Sequence, residues 1–136
     1  MKKLSAPASA KASGERFDGH VWFDQVWPSE GSSRVRVGTV RVAPRARTAW
    51  HLHAAGQTLH LTERLGSVVS RHGEVIVMHP GDTVHTPPGQ WHWHGAASDR
   101  IMSHLAIWDG TDGPGAVETT WGEHVTDDEY RRAQPQ

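Results

Sequence analysis

Two His-x-His pairs, His51 with His53 and His92 with His94, stand in a chain of 136 residues that carries 11 histidines. On an extended segment, residues two apart project from the same face, about 7 Å apart along the backbone, so each pair can aim two imidazoles at one point. One such pair is weak support for a metal ion. Two pairs, each on a segment that reads as a strand and each followed by the Gly and Pro of a tight corner, fit a single metal centre better than scattered surface or packed histidines do. The chain has no cysteine. Thiolate ligands, disulfides and a cysteine nucleophile are therefore excluded, and His, Asp, Glu and Gln are left as donors. His104 follows on the next strand, sharing a face with Met102, Ala106 and Trp108, while Ile101, Leu105 and Ile107 share the other. His104 either projects toward the metal or is a hydrogen-bonded core histidine. His20, His60, His72, His79, His85 and His124 have no partner at ligand spacing, and His60 falls on the face opposite to Gln57.

The elements that must hold these histidines are short strands. Residues 21–27 are aromatic and β-branched and stop at Pro28; residues 34–42 alternate charged and β-branched side chains and stop at Pro44. Residues 50–53, 57–63, 83–86, 90–95 and 101–108 are further extended segments, with Gly56 and Gly66 marking turns and Pro80-Gly81-Asp82 a corner. Residues 68–71 and 74–78 flank His72-Gly73, the pattern of a hairpin. Many short strands with Gly and Pro at the bends predict an all-β sandwich or barrel. Trp50, Trp91 and Trp93 lie on the faces opposite the histidines and are expected to pack between sheets or against another subunit. Gly38, inside a strand, marks either a bulge or a close approach, and with Val40 is a candidate pocket-lining position. Residues 1–16 read as a mobile arm or edge strand, residues 34–108 as the barrel core, and the whole of 1–136 as a single domain. One helix is predicted near the C-terminus: Thr126 is an N-cap candidate, with Asp127, Asp128 and Glu129 in the first turn and Arg131 and Arg132 in the last.

Lys and Arg number 14 against 15 for Asp and Glu. That balance offers no positive face for phosphate backbones, so nucleic acid is not an expected partner. The N-terminal residues contain two lysines without a following apolar run, and no segment approaches the roughly 20 apolar residues of a membrane span. A cytoplasmic protein acting on a small molecule is the expectation.

The spacings resemble the cupin superfamily. Its second motif, G-x5-P-x-G-x2-H-x3-N, is met at Gly81, Pro87, Gly89 and His92, with Ala96 in the Asn position. Its first motif, G-x5-H-x-H-x3,4-E-x6-G, is met at His51 and His53, with Gln57 for Glu and with Arg45 and Arg64 in the two Gly positions. The stretches R-T-A-W-H-x-H-x3-Q-T-L from Arg47 to Leu59, H-P-G-D from His79, H-W-H-G-A from His92 and H-L-A-I from His104 are similar to the bacterial manganese cupins that act as hydroxynitrile lyases. The resemblance implies a double-stranded β-helix, the jelly-roll-like cupin barrel, and a homo-oligomer, dimer or tetramer. It implies one divalent ion, manganese, at His51, His53, Gln57 and His92, a set that Fe, Ni, Zn or Co also accept. It further implies His94 and His104 as pocket histidines with a catalytic role and Thr48 as a pocket residue. Trp108 stands where a characterised type of member has Gln, which implies a narrower, more aromatic pocket.

Gln in place of Glu removes a negative charge, so an ion held by three imidazoles and an amide keeps its formal +2 and favours an anion. Four ligands leave exchangeable positions on an ion that prefers six. Cleavage or formation of cyanohydrins, with a histidine base and the metal as Lewis acid, is the leading expectation. A dioxygenase acting on a small enolic or aromatic substrate, and a barrel that only binds a small ligand, are the alternatives.

Overall fold

The computed structural model describes residues 1–6, 8–112 and 115–135. In chain order its strands are β1 (Ala10–Lys11), β2 (Phe17–Asp18), β3 (Val21–Trp27), β4 (Val35–Val42), β5 (Arg47–Thr48), β6 (His51–His53), β7 (Gln57–Arg64), β8 (Gly66–Ser70), β9 (Val75–Met78), β10 (Thr83–Thr86), β11 (His92–Ala96), β12 (Met102–Asp109) and β13 (Thr119–Trp121), followed by helix α1 (Asp127–Arg132). All strand pairs are antiparallel. One sheet has the order β1-β3-β4-β12-β7-β10. In the other, β5 and β6 follow one another along the same edge of β11, β2 and β13 pair outside them, and β8 with β9 continues the far side. The result is an all-β barrel of two packed antiparallel sheets with a short C-terminal helix, the architecture that the resemblance implied. No helix among the described residues is long and apolar enough to cross a membrane.

Alternation along the strands decides what faces inward. On β12, Met102, His104 and Ala106 are buried, and Met102 and Ala106 join Val21, Val42, Leu59 and Leu61 in the core between the sheets. The more apolar face of β12, with Leu105 and Ile107, is the outer one and is only half-buried. A second apolar cluster, of Trp50, Val69, Trp93, Val125, Tyr130 and Ala133, joins the back of the second sheet to the C-terminal segment. Trp50 and Trp93 are therefore not packed between the sheets as expected: they support the histidine strands from behind. Trp91 sits at the margin of that cluster, and the Arg71 guanidinium lies 4.7 Å from the Trp50 ring and 4.6 Å from the Trp91 ring. The helix begins with a capping box in which Thr126 accepts from the Glu129 amide while the Glu129 carboxylate accepts from the Thr126 amide.

Three expectations about turns are refined. Arg45 and Arg64, which occupy motif glycine positions, have φ of 70° and 65°, the left-handed region that glycine enters without strain. Gly66 is no turn: it opens β8 and is buried against Met102 and Gly95. Gly38 is not itself bulged, since its pairing with Ala106 is regular. The irregularity is on β3, between Gln25 and Trp27, and Gly38 makes room for the Phe23 ring, which an added Cβ would meet. A Cβ on Gly66 would lie against the Met102 sulfur and 2.7 Å from the Gly95 carbonyl oxygen, a main-chain atom fixed by the sheet. Gly66→Ala is expected to lower stability by about 1–3 kcal/mol in urea unfolding, with Gly14→Ala, where a Cβ meets nothing within 4 Å, as the neutral control.

Candidate metal centre and pocket

His51 and His92 face one another across the β6–β11 pair. Because side chains alternate, that register brings His53 and His94 to the same interior, and Leu52, Trp91 and Trp93 away from it. The ring centroids of His51 and His92 are 4.3 Å apart, those of His51 and His53 5.1 Å, and those of His53 and His92 5.7 Å. One ligand atom from each of these three rings lies within 4.8 Å of the others. All three side chains are buried.

Each ring is oriented through Nδ1. His51 Nδ1 lies 2.9 Å from the Ala49 carbonyl and His92 Nδ1 3.0 Å from the Gln90 carbonyl; a carbonyl only accepts, so both rings carry the proton on Nδ1 and leave Nε2 with a free lone pair. His53 Nδ1 lies 3.1 Å from the Thr119 hydroxyl. His53 Nε2 and His92 Nε2 are buried without a hydrogen-bond partner, and so is the Gln57 carbonyl oxygen. Gln57 opens β7 after the turn at Gly56 (φ 79°) and its side chain lies against His53. A buried acceptor left unpaired costs roughly 1–3 kcal/mol, and several such lone pairs gathered at one place are the donor set that a cation satisfies. Burial, then the nearby His92, hold His51 well below its ordinary pKa and lower that of His53 to about 4; burial also lowers His92. The rings are therefore neutral, the form that binds metal, at neutral pH.

Beside the triad opens a cavity of about 420 Å³. Its walls include the expected Val40, Thr48, His94, His104 and Trp108, but not Gly38, whose neighbour Phe23 fills that part of the wall. The open alternative for His104 resolves toward the cavity. Its ring lies 5.0 Å from that of His94 at 88°, and His94 in turn lies 5.3 Å from His51. His94 Nδ1 and both ring nitrogens of His104 are buried and unpartnered, while the His94 main-chain amide donates to the Thr48 hydroxyl at 3.2 Å. Burial, then the neighbouring His104, push His94 well below its ordinary value, and burial lowers His104 to about 4.

Other wall residues escaped the sequence reading. Ala12, Arg16 and Phe17 come from the N-terminal arm, which is tied down where β1 pairs with β3 and β2 with β5. Glu118, Thr119 and Trp121 come from β13 and the residue before it. Glu118 restores a carboxylate to a site whose ligands are neutral, although Arg36 holds it through two contacts to Oε1, at 3.1 and 2.5 Å. The only local signal for this strand is the β-branched and aromatic run Thr119-Thr120-Trp121, too short to stand out.

Residues 38–108 match the family model of the cupin domain, more than half of the chain. The chain belongs to the cupin family. This cupin is 43% identical over 132 residues to an (R)-mandelonitrile lyase of Granulicella tundricola, a match covering 97% of this chain and 98% of the relative. It is a homologue of that lyase. A crystal structure of a cupin-like protein from Thermotoga maritima superposes with a TM-score of 0.86 at 34% identity, over 98% of each chain. A polyketide cyclase of Streptomyces resistomycificus shares the fold, with a TM-score of 0.71 at 16% identity over 96% of this chain and 91% of the other.

The buried histidines have a consequence for stability. His104, with a pKa of about 4 in the fold against about 6.5 in the open chain, favours the folded state while neutral. That contribution is fully present above pH 6.5 and is lost as the pH falls toward 4, a change of about 3 kcal/mol. Metal-free protein is expected to lose urea resistance over this interval, and His104→Leu to lessen the loss by its share, the other buried histidines keeping theirs; an unchanged pH slope in the variant would contradict it.

Proposed function

We propose that this cupin is a metal-dependent hydroxynitrile lyase that cleaves cyanohydrins of aromatic aldehydes, or forms them from aldehyde and cyanide. The observation that carries the reading is that one cavity is lined both by His51 and His53 of the three-histidine triad, with Gln57, and by a separate neutral histidine pair, His94 and His104, with unpartnered ring nitrogens. The homologous mandelonitrile lyase supports the choice of reaction. In this reading His51, His53, Gln57 and His92 hold one divalent ion, and the nitrogen and amide-oxygen donors suit Mn, with Fe, Ni, Zn or Co as competitors.

His94 and His104 do the proton work. A substrate with its aryl group against Phe17, Phe23 and Trp108 would place its hydroxyl at the His94–His104 wall, with Val40 and Thr48 beside it. An imidazole nitrogen of His94 accepts the hydroxyl proton; the oxygen lone pair closes to the carbonyl, and the bond to the nitrile carbon breaks with its electron pair on cyanide. A bound divalent ion would supply Lewis-acid stabilisation to the departing anion. His94 then returns the proton, releasing hydrogen cyanide, and His104, perpendicular to it, accepts the hydrogen bond that an imidazolium would otherwise lack. Exposed Trp22, Val35 and Ile101 on the outer side of the first sheet support a homo-oligomer.

Mn(II)-loaded protein is expected to release benzaldehyde from mandelonitrile, followed by ultraviolet absorbance, at the same rate under air and argon. His94→Ala should lower kcat/KM by about 10²–10⁴ with its metal content intact. Chelation of the metal should abolish turnover. Absence of aldehyde, or uptake of oxygen in step with substrate loss, would refute the lyase in favour of a binding barrel or a dioxygenase respectively.

A further inference from the structure

Of the three rings in the triad, two are oriented by their own strands: the acceptors for His51 and His92 are the carbonyls of Ala49 and Gln90, each two residues earlier in the chain. His53 has no such local acceptor. Its Nδ1 meets the hydroxyl of Thr119, 66 residues away on β13, which pairs with β6 so that Thr119 stands opposite His53 and Trp121 opposite His51. Both inward side chains of β13 thus touch the ring across from them, since the Trp121 ring stacks on His51 at 4.7 Å and 27°.

The strand is docked at both ends. Before it, the Ala54 amide donates to the Glu118 carbonyl at 2.8 Å and Arg36 grips the Glu118 carboxylate. After it, the Gly122 amide donates to the Trp50 carbonyl at 2.7 Å and the Trp50 amide to the Glu123 carbonyl at 2.9 Å. Phe17, 5.7 Å from Trp121, and the Arg16 guanidinium, 5.3 Å from the same ring, close its outer side.

We propose that Thr119, outside the matched cupin domain, is a positioning residue for the metal centre. In the tautomer that leaves Nε2 free, its hydroxyl accepts from the His53 Nδ1–H, which sets the ring angle and raises the basicity of the ligating nitrogen. The inference rests on the metal reading of the triad and extends it to the residue that completes it. Losing such an outer partner typically weakens metal affinity about 10–100-fold.

The test is titration of metal-free protein with Mn(II) against a fluorescent chelator, together with urea unfolding of the same metal-free samples. Thr119→Val, which keeps the shape and removes the hydroxyl, is expected to weaken Mn(II) binding about 10–100-fold with little change in metal-free stability. Thr119→Ser is expected to bind as the wild type does. Wild-type affinity in Thr119→Val overturns the inference alone. Parallel losses of affinity and metal-free stability that Ser fails to rescue also overturn it, since they indicate packing damage. A wild-type protein that binds no Mn(II) overturns it together with the metal reading.

Discussion

The pairing of His51 with His92 across β6 and β11 sets the distance between two imidazoles through the spacing of the sheet, and the side-chain alternation of the two strands then delivers His53 and His94 to the same interior. Nothing flexible intervenes. The cost is that several polar nitrogens and an amide oxygen are held away from water without protein partners, an arrangement that destabilises the empty fold and gives a cation a ready place to restore what burial removed. The barrel must therefore be well supported elsewhere for this interior to persist.

That support comes from behind the histidine strands. The same alternation that turns His51, His92 and His94 inward turns Trp50 and Trp93 outward, into the cluster that holds Tyr130 and the C-terminal helix. Arg47 reinforces the join: its buried guanidinium contacts the Asp18 and Asp127 carboxylates, both at 2.8 Å, and lies 4.9 Å from the Tyr130 ring. Tyr130 in turn donates its hydroxyl to the Ala96 carbonyl at 2.8 Å. Trp50, Trp93 and Arg47, all buried behind the site, thus lean on a helix of six residues whose start is secured by a complete capping box.

Much of this was legible before any coordinates. The limits of β3 and β10, the hairpin at Gly73 and the N-cap at Thr126 follow from local chemistry, namely β-branched runs, obligate glycine conformations and a hydroxyl ahead of an acidic turn. The joining of His51, His53 and His92 followed from period-two spacing and motif resemblance. What the sequence hid is non-local. Gly66 looked like a turn because glycine usually is one, whereas here it yields space to Met102 on a distant strand. The fates of Trp50 and Trp93 depended on where the C-terminal helix docks. Phe17, Thr119 and Trp121 gained their places through pairings between strands of two or three residues, which leave no periodic pattern to read.

The arm from Ala12 to Phe17 supplies a wall of the cavity but none of the three triad histidines, and it is held by two strands of two residues each. This part of the cavity wall and the histidine triad are therefore encoded by separate stretches of chain. Exchange of the Ala12 side chain can reshape the cavity without replacing a triad residue, whereas changes at Arg16 and Phe17 also reach His51 through the Trp121 ring, so selection or design has a short, shallowly embedded segment on which to vary what the cavity admits.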